Sequence, residues 1–485
     1  MSTENIPNFE DPVRSVLGAD RREFLRLTSS GVSALALSSL INKGSAADLS
    51  SGPPRLHHEQ KAKSVILCYM SGGFSHVDSF DPKPKLREMD GKPLPMAIER
   101  TQFDSVGNIM GSPWESKQWG QSGLEMTDMF PRIAESADDL AIVRSMTAKF
   151  SEHAQANFFM HTGFPFLGYP SAGSWVTHGC GTENPNLPGY VVLRSNKAAI
   201  PHGGVSIFGN AFLPATTQGS IFNITDKQAV PNINPAMLKA EQRRALDLIG
   251  TLDRRFSERT AAKDAVISSI KNAETAFLMQ QAVPELTDIS AESEATREMY
   301  GINDKDGNKA QYARQCLMAR RLVERGVRFV ELSCASYGIG AGGGGNPWDQ
   351  HGDIKRGHGA MAKQVDGPIA ALLKDLKERG MLDQTLVVFT GEFGRAPFSQ
   401  GSGRDHDPFG FSVWMAGGGM KGGSVHGATD EFGYKAAVDV STVYDLWATV
   451  LHQLGIDHEK LTYRWSGRDL RLTDVHGHVW KNLVG

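Results

Sequence analysis

The stretch from Asp366 to Arg395, DGPIAALLKDLKERGMLDQTLVVFTGEFGR, constrains this chain most. Ile369, Leu372, Leu373 and Leu376 recur three or four apart, which is one face of a helix. Lys374, Asp375, Lys377 and Glu378 fill the wet face. Gly380 stands where a left-handed C-cap belongs. Thr385 to Phe389 then forms an uninterrupted apolar run, the pattern of a strand covered on both faces. The run ends in Thr390-Gly391-Glu392-Phe393-Gly394-Arg395, an acid and a base at a strand's carboxyl end. Open α/β sheets place their ligands there. The same residues read equally as a surface loop after a core strand.

The totals allow such a fold and exclude others. With 485 residues and a net charge of −3, bulk charge draws the chain to neither nucleic acid nor membrane. A hydrophobic share of 40% and a charged share of 22% suit a soluble globular protein. The four cysteines are widely spaced, so no disulfide framework or CxxC pair is legible. Residues 1–47 read as a twin-arginine signal peptide. Arg21-Arg22 precedes an uncharged segment, Leu27 to Ile41, too short for a membrane span, and Ser45-Ala46-Ala47 is a small-residue cleavage site. The expectation is export to the periplasm or beyond through the twin-arginine machinery, with no stable span after processing.

Further strand ends carry chemistry. Ser64 to Met70 is a strand entering Ser71-Gly72-Gly73 and then His76, Asp78 and Asp81. Asp78 is preferred to Asp81 as a cation ligand, because Asp81-Pro82 also fits a turn. Leu140 to Ser145 is another strand. Ser151 follows as an N-cap, which would put His153 in the first turn of a helix; a structural histidine in a capped core helix is the plainer reading. Residues 165–225 give no clear layout. Residues 234–300 alternate acids, bases and leucines, as an amphipathic helical insertion does. A helix from Gln311 to Glu324 leads to the strand Val327 to Leu332, then glycines 342–345, then Asp349 and His351, spaced to face one ion. Asp405 and His406 precede a strand, Phe411 to Ala416. Four strand ends presenting carboxylate or imidazole fit a polynuclear metal site.

The segment VDGPIAALLKDLKERGMLDQTLVVFTGEFG resembles the corresponding helix–strand segment of sulfatases in the alkaline phosphatase superfamily. More closely, the chain resembles a bacterial family, "domain of unknown function fifteen-oh-one", through MSGGFSHVDSFDPKP, HTG, WDQHGD, GEFGRAP, GRDH, GGGMKGG, TDEFGY and RLTDVHG. That resemblance spans most of residues 60–485. It implies an alkaline phosphatase-like three-layer α/β sandwich with a mostly parallel central sheet. It also implies one or two divalent ions (Zn, Ca, Mg or Mn) serving phosphate or sulfate esters. Carried over by position, Asp78, Asp349, His351, Glu392 and His406 are the metal ligands. Phe393 stands where the superfamily has a ligating histidine, and the Asp349–His351 spacing is tighter than usual; both bear on a second ion. The superfamily nucleophile's position falls on His153, with Ser151 two residues away. No Cys-x-Pro-x-Arg is present, so formylglycine cannot form.

The expected function is therefore an exported metal-dependent hydrolase of small-molecule or polysaccharide phosphate or sulfate esters, with no nucleic-acid partner. His153 would act as nucleophile, ligand or acid/base, Ser151 as an alternative nucleophile, and Arg395 or Arg404 as an oxyanion clamp. The alternative is a catalytically inactive relative that binds carbohydrate or polymer.

Overall fold

The strand Thr385–Thr390 (TLVVFT) is buried along its whole length, as is Ser64–Tyr69 beside it. Both lie inside a nine-stranded sheet in a computed structural model of the chain. The structure describes residues 56–485 except 102–105, 196–197, 227, 261–262 and 340–342. The expected signal peptide lies outside the described residues, as does Gly342 of the glycine run.

The sheet order is Ser424–His426, Leu140–Thr147, Phe411–Ala416, Thr385–Thr390, Ser64–Tyr69, Phe329–Ser333, Tyr190–Arg194, Ser220–Asn223. Ser441–Thr442 pairs with Leu140–Thr147 off this path. Phe411–Ala416 alone runs against its neighbours; the remaining pairings are parallel. Parallel neighbours need long crossovers, and helices supply them.

Side chains alternate along a strand, so a strand buried throughout must feed two cores. Ile66 and Cys68 join one, with residues from the helices Gly307–Glu324 and Ile354–Glu378. Val65, Leu67 and Tyr69 join the other, with the helices His153–Thr162, Ala172–Cys180 and Val443–Gln453. Helix, sheet and helix thus make three layers, an α/β sandwich with a mostly parallel centre.

Several boundaries differ from expectation for physical reasons. The helix Ile354–Glu378 begins well before Asp366 and runs through Pro368, a residue that marks helix starts more often than interiors. Its end agrees: Gly380 has a φ of +66°. Glu152, not Ser151, caps His153–Thr162, its carboxylate accepting from the Gln155 amide at 3.0 Å. In the stretch 234–300 lie the helices Lys239–Ser257, Lys263–Thr287 and Glu294–Tyr300. The unreadable stretch 165–225 holds the helix Ala172–Cys180 and two strands, including the edge strand Ser220–Asn223. Among the described residues no helix is long and apolar enough to cross a membrane.

Aromatic rings lock the first core. Phe389 stacks on Trp414 with centroids 5.2 Å apart and meets Phe74 edge-on at 5.0 Å. Phe80 and Phe130 close the cluster. Phe389→Ala leaves a void that these rigid rings cannot fill. It should lower the unfolding free energy by about 3–5 kcal/mol in urea denaturation. A loss below about 1 kcal/mol would mean that the cluster repacks freely.

Candidate metal centre

The parallel strands point their carboxyl ends toward one rim, and the loops there carry the polar residues. Ser64–Tyr69 leads to Gly72, Phe329–Ser333 to Asp349 and His351, Thr385–Thr390 to Glu392, and Leu140–Thr147 to His153. His406 comes from a hairpin, Gly394–Gln400 with Gly403–Asp407, where it lies directly opposite Arg395.

Four of these side chains meet. Asp349 Oδ1 lies 2.9 Å from His351 Nε2 and 3.2 Å from His406 Nε2. The two imidazole Nε2 atoms are 3.1 Å apart. Asp349 Oδ2 lies 3.2 Å from His153 Nε2. That nitrogen is buried and makes no aligned hydrogen bond. The rings' other nitrogens are held elsewhere: His406 Nδ1 by the Ser151 carbonyl at 2.6 Å, His153 Nδ1 by Glu392 Oε1 at 2.7 Å, and His351 Nδ1 by Gln400 Oε1. A carbonyl or carboxylate only accepts, so each Nδ1 carries a proton and each ring turns its Nε2 toward Asp349. Nitrogens and a carboxylate this close need a proton or a cation between them. His153, Asp349 and His406 each offer a donor atom within 4.8 Å of the others, the donor set of a candidate metal site. The residues present therefore fit a divalent ion. A second group, His351, Asp405 and His406, also gathers donor atoms within 4.8 Å. Asp349 and His351 side chains keep 15% and 19% of their surface, so the site opens on that side.

The electrostatics agree. Burial disfavours charge on Asp349, but Arg395 and three imidazoles outweigh it and hold its carboxyl well below the usual range. Burial pushes His406 down to about 3, which keeps it neutral and ready to ligate. Burial also opposes charge on His153, yet the Asp349 and Glu392 carboxylates on either side push it up to about 9. A cation beside Nε2 would take the place of that proton.

Other expected residues fall behind or beside the group. Glu392 is fully buried one step back: it takes the Gly72 amide on both oxygens, at 2.8 and 3.1 Å, and orients His153. That is the carboxylate–histidine pairing of a metal's outer shell rather than direct ligation. Gly72 has a φ of +106°, and a Cβ there would lie 2.6 Å from the Asp349 nitrogen, so only glycine lets the loops approach. Asp78 is not brought into the group. Both its oxygens accept from Arg404, at 2.7 and 2.9 Å, and both residues are fully buried. A carboxylate so satisfied has no lone pair directed at the cluster. The Arg395 guanidinium donates to Gly72, Gly73 and Arg404 carbonyls and to Asp349 Oδ1 at 2.7 Å, and it is buried. It aims Asp349 and leaves no face for a substrate. Ser151 contributes its backbone carbonyl to His406. Phe393 packs its ring 4.5 Å from that of His406 and 5.1 Å from that of His153, an apolar wall against both. Asp405, noted from sequence beside His406 but not carried over as a ligand, joins the second group, and His202, whose ring lies 5.8 Å from His153's, was not singled out from sequence. His202 stands in a stretch with no readable periodicity, so nothing local could have marked it.

Arg404→Met strands the Asp78 carboxylate and should cost about 3–5 kcal/mol in urea denaturation, most of it recovered in Asp78→Leu/Arg404→Met. A double variant as unstable as the single one would contradict this pairing. His358, on the helix Ile354–Glu378, accepts from the Ser75 amide at 3.0 Å. Burial, aided by Arg395, pushes it down to about 3. An unfolded histidine titrates near ~6.5. The stabilisation from His358 is therefore complete above that value and fades as pH falls toward 3, by at most about 1.4 kcal/mol per pH unit. Urea midpoints between pH 7 and pH 4.5 should fall less steeply for His358→Gln than for the native chain; equal slopes would remove His358 as a cause.

No curated protein matches the chain. Among solved structures it is similar to the PsFucS1 sulfatase from Pseudoalteromonas sp., 14% identical over 89% of this chain and 72% of that one, with a TM-score of 0.35. It is similar to the lipoteichoic acid synthase LtaP from Listeria monocytogenes, 10% identical over 91% and 79%, with a TM-score of 0.39. It is also similar to a TAB5 alkaline phosphatase mutant, 12% identical over 75% and 92%, with a TM-score of 0.32. The sequence profile described as "Protein of unknown function (DUF1501)" matches residues 62–484, and the chain belongs to that family.

Proposed function

We propose that this protein is an exported, metal-dependent hydrolase of phosphate or sulfate esters. The observation that supports a metal is the meeting of three imidazole nitrogens with one carboxylate, His153, His351, His406 and Asp349, at 2.9–3.2 Å. His153, Asp349 and His406 would hold the ion, with His351 beside them. Imidazole ligands favour zinc over calcium, magnesium or manganese, which prefer oxygen. His351, Asp405 and His406 are the residues toward a second ion. The ester class comes from the sequence resemblance around Thr390 to Gly394, and export rests on Arg21-Arg22 and the segment after it. The substrate would be a small-molecule or polysaccharide ester.

When bound, the ion supplies Lewis acidity toward an ester oxygen and acidifies a water. The chain's own residues prepare for that. Glu392 holds the Nδ1 proton of His153 and so turns Nε2 toward Asp349. Arg395 keeps Asp349 ionised and aimed. Phe393 excludes water from one side, which strengthens every charge interaction within. The His153 nitrogens are both engaged, by Glu392 and toward Asp349, which supports the ligand role over the nucleophile role.

One observation favours a second reading, an inactive carbohydrate- or polymer-binding protein: Arg395 and Arg404 are both buried and spent on protein partners, so neither clamps a substrate anion. Metal analysis of the purified chain, with p-nitrophenyl phosphate and p-nitrophenyl sulfate assays before and after chelation, separates the readings. We expect about one or more divalent ions per chain and turnover that chelation abolishes and metal restores. Metal without turnover of either ester favours the binding protein; no metal at all overturns both the centre and the hydrolase.

A further inference from the structure

A second imidazole–carboxylate pair lies behind the metal centre on the same helix. His153, Asn157 and His161 recur four apart along His153–Thr162, so they share one face. All three are buried, at 7%, 0% and 3% exposure. His161 Nε2 lies 2.9 Å from Glu331 Oε1 on the neighbouring strand Phe329–Ser333. Glu331 Oε2 accepts from the Tyr190 hydroxyl at 2.9 Å. Between the two histidines, the Tyr69 hydroxyl donates to Asn157 Oδ1 at 2.6 Å, and its ring meets His161 edge-on at 4.5 Å. Burial opposes charge on His161, but Glu331 outweighs it and pulls its pKa up.

Charge this deep needs a reason, because well-packed apolar residues usually serve stability as well or better. The reason lies in the rest of the helix. Ala156, Phe158, Phe159, Met160 and Thr162 are buried too, so the second half of the helix is covered all round. Apolar burial has no direction and does not choose among rotations of such a helix. The ligand position is sensitive to rotation: an imidazole nitrogen about 6 Å from the axis moves about 1 Å for a turn of roughly 10°. His153 is the first residue of the helix, tied down by Glu392 alone on its Nδ1 side. The His161–Glu331 pair, two turns further on, supplies a directional anchor on the same face.

We propose that His161 and Glu331 are positioning residues for the metal centre, setting the rotation of the helix that delivers His153 to Asp349. The inference rests on the metal reading above and deepens it. The triple variant His161→Leu/Glu331→Leu/Tyr190→Phe removes the pair and its hydroxyl donor together, leaving no stranded charge. The conservative variant Glu331→Gln keeps the shape and the hydrogen-bonding oxygen but not the charge, and serves where the triple variant does not fold. Cobalt(II) affinity by competition with a chelator, and the intensity of cobalt d–d absorption, are measured beside urea stability. The expected result is a triple variant of near-native stability whose cobalt dissociation constant rises roughly 10–100-fold with a changed absorption band, the range of outer-shell losses at metal sites. Glu331→Gln should shift the same quantities in the same direction by a smaller factor. If the native chain takes up cobalt and both variants bind within threefold of it with an unchanged band, the anchor is overturned and the metal reading stands. If the native chain takes up no cobalt, the metal reading itself fails and the inference falls with it.

Discussion

The close approach of three imidazoles to one carboxylate is the constraint on which the site depends. Asp349 faces the Nε2 atoms of His153, His351 and His406 at 2.9–3.2 Å, and each ring's Nδ1 is committed to a partner on its far side. A fold does not gather such groups without something to hold them. Part of the holding is done by protein. Arg395 neutralises Asp349 from below, Glu392 braces His153, and the Ser151 carbonyl braces His406. The facing Nε2 atoms and Asp349 share a proton or, on the function proposed above, a cation.

The supporting shell also explains residues that look like site residues and are not first in line. Glu392 and Arg395 stand at the most conspicuous strand end in the sequence, yet both are fully buried behind the ligands they orient. Asp78 and Arg404 neutralise each other nearby, at 2.7 and 2.9 Å, and tie the first strand's loop to the hairpin that carries His406. Phe393, which cannot ligate, lies against two imidazoles that do the gathering. An apolar ring in that place removes a competing donor and keeps the dielectric low.

Much of the architecture was legible because local signals were strong. Unbroken apolar runs at Ser64 to Tyr69 and Thr385 to Phe389 announced strands covered on both faces, and the two separate cores are the direct consequence. The segment 165–225 was opaque because its short strand Ser220–Asn223 is an edge strand with mixed burial and no clean period. The start of the helix Ile354–Glu378 was hidden by Pro368, whose usual meaning tertiary packing overrode.

The sequence by itself determined the α/β class and which strand ends carry acids and imidazoles. Periodicity and composition act over neighbouring residues, and those properties are local. Only the tertiary structure decided which of these groups meet. His153 and Glu392, or His161 and Glu331, are contacts between distant segments, and whether a carboxylate ligates, braces a ligand or cancels an arginine depends on loop approach and helix rotation. Those are set by packing across the whole sheet, so no stretch of chain carries them alone.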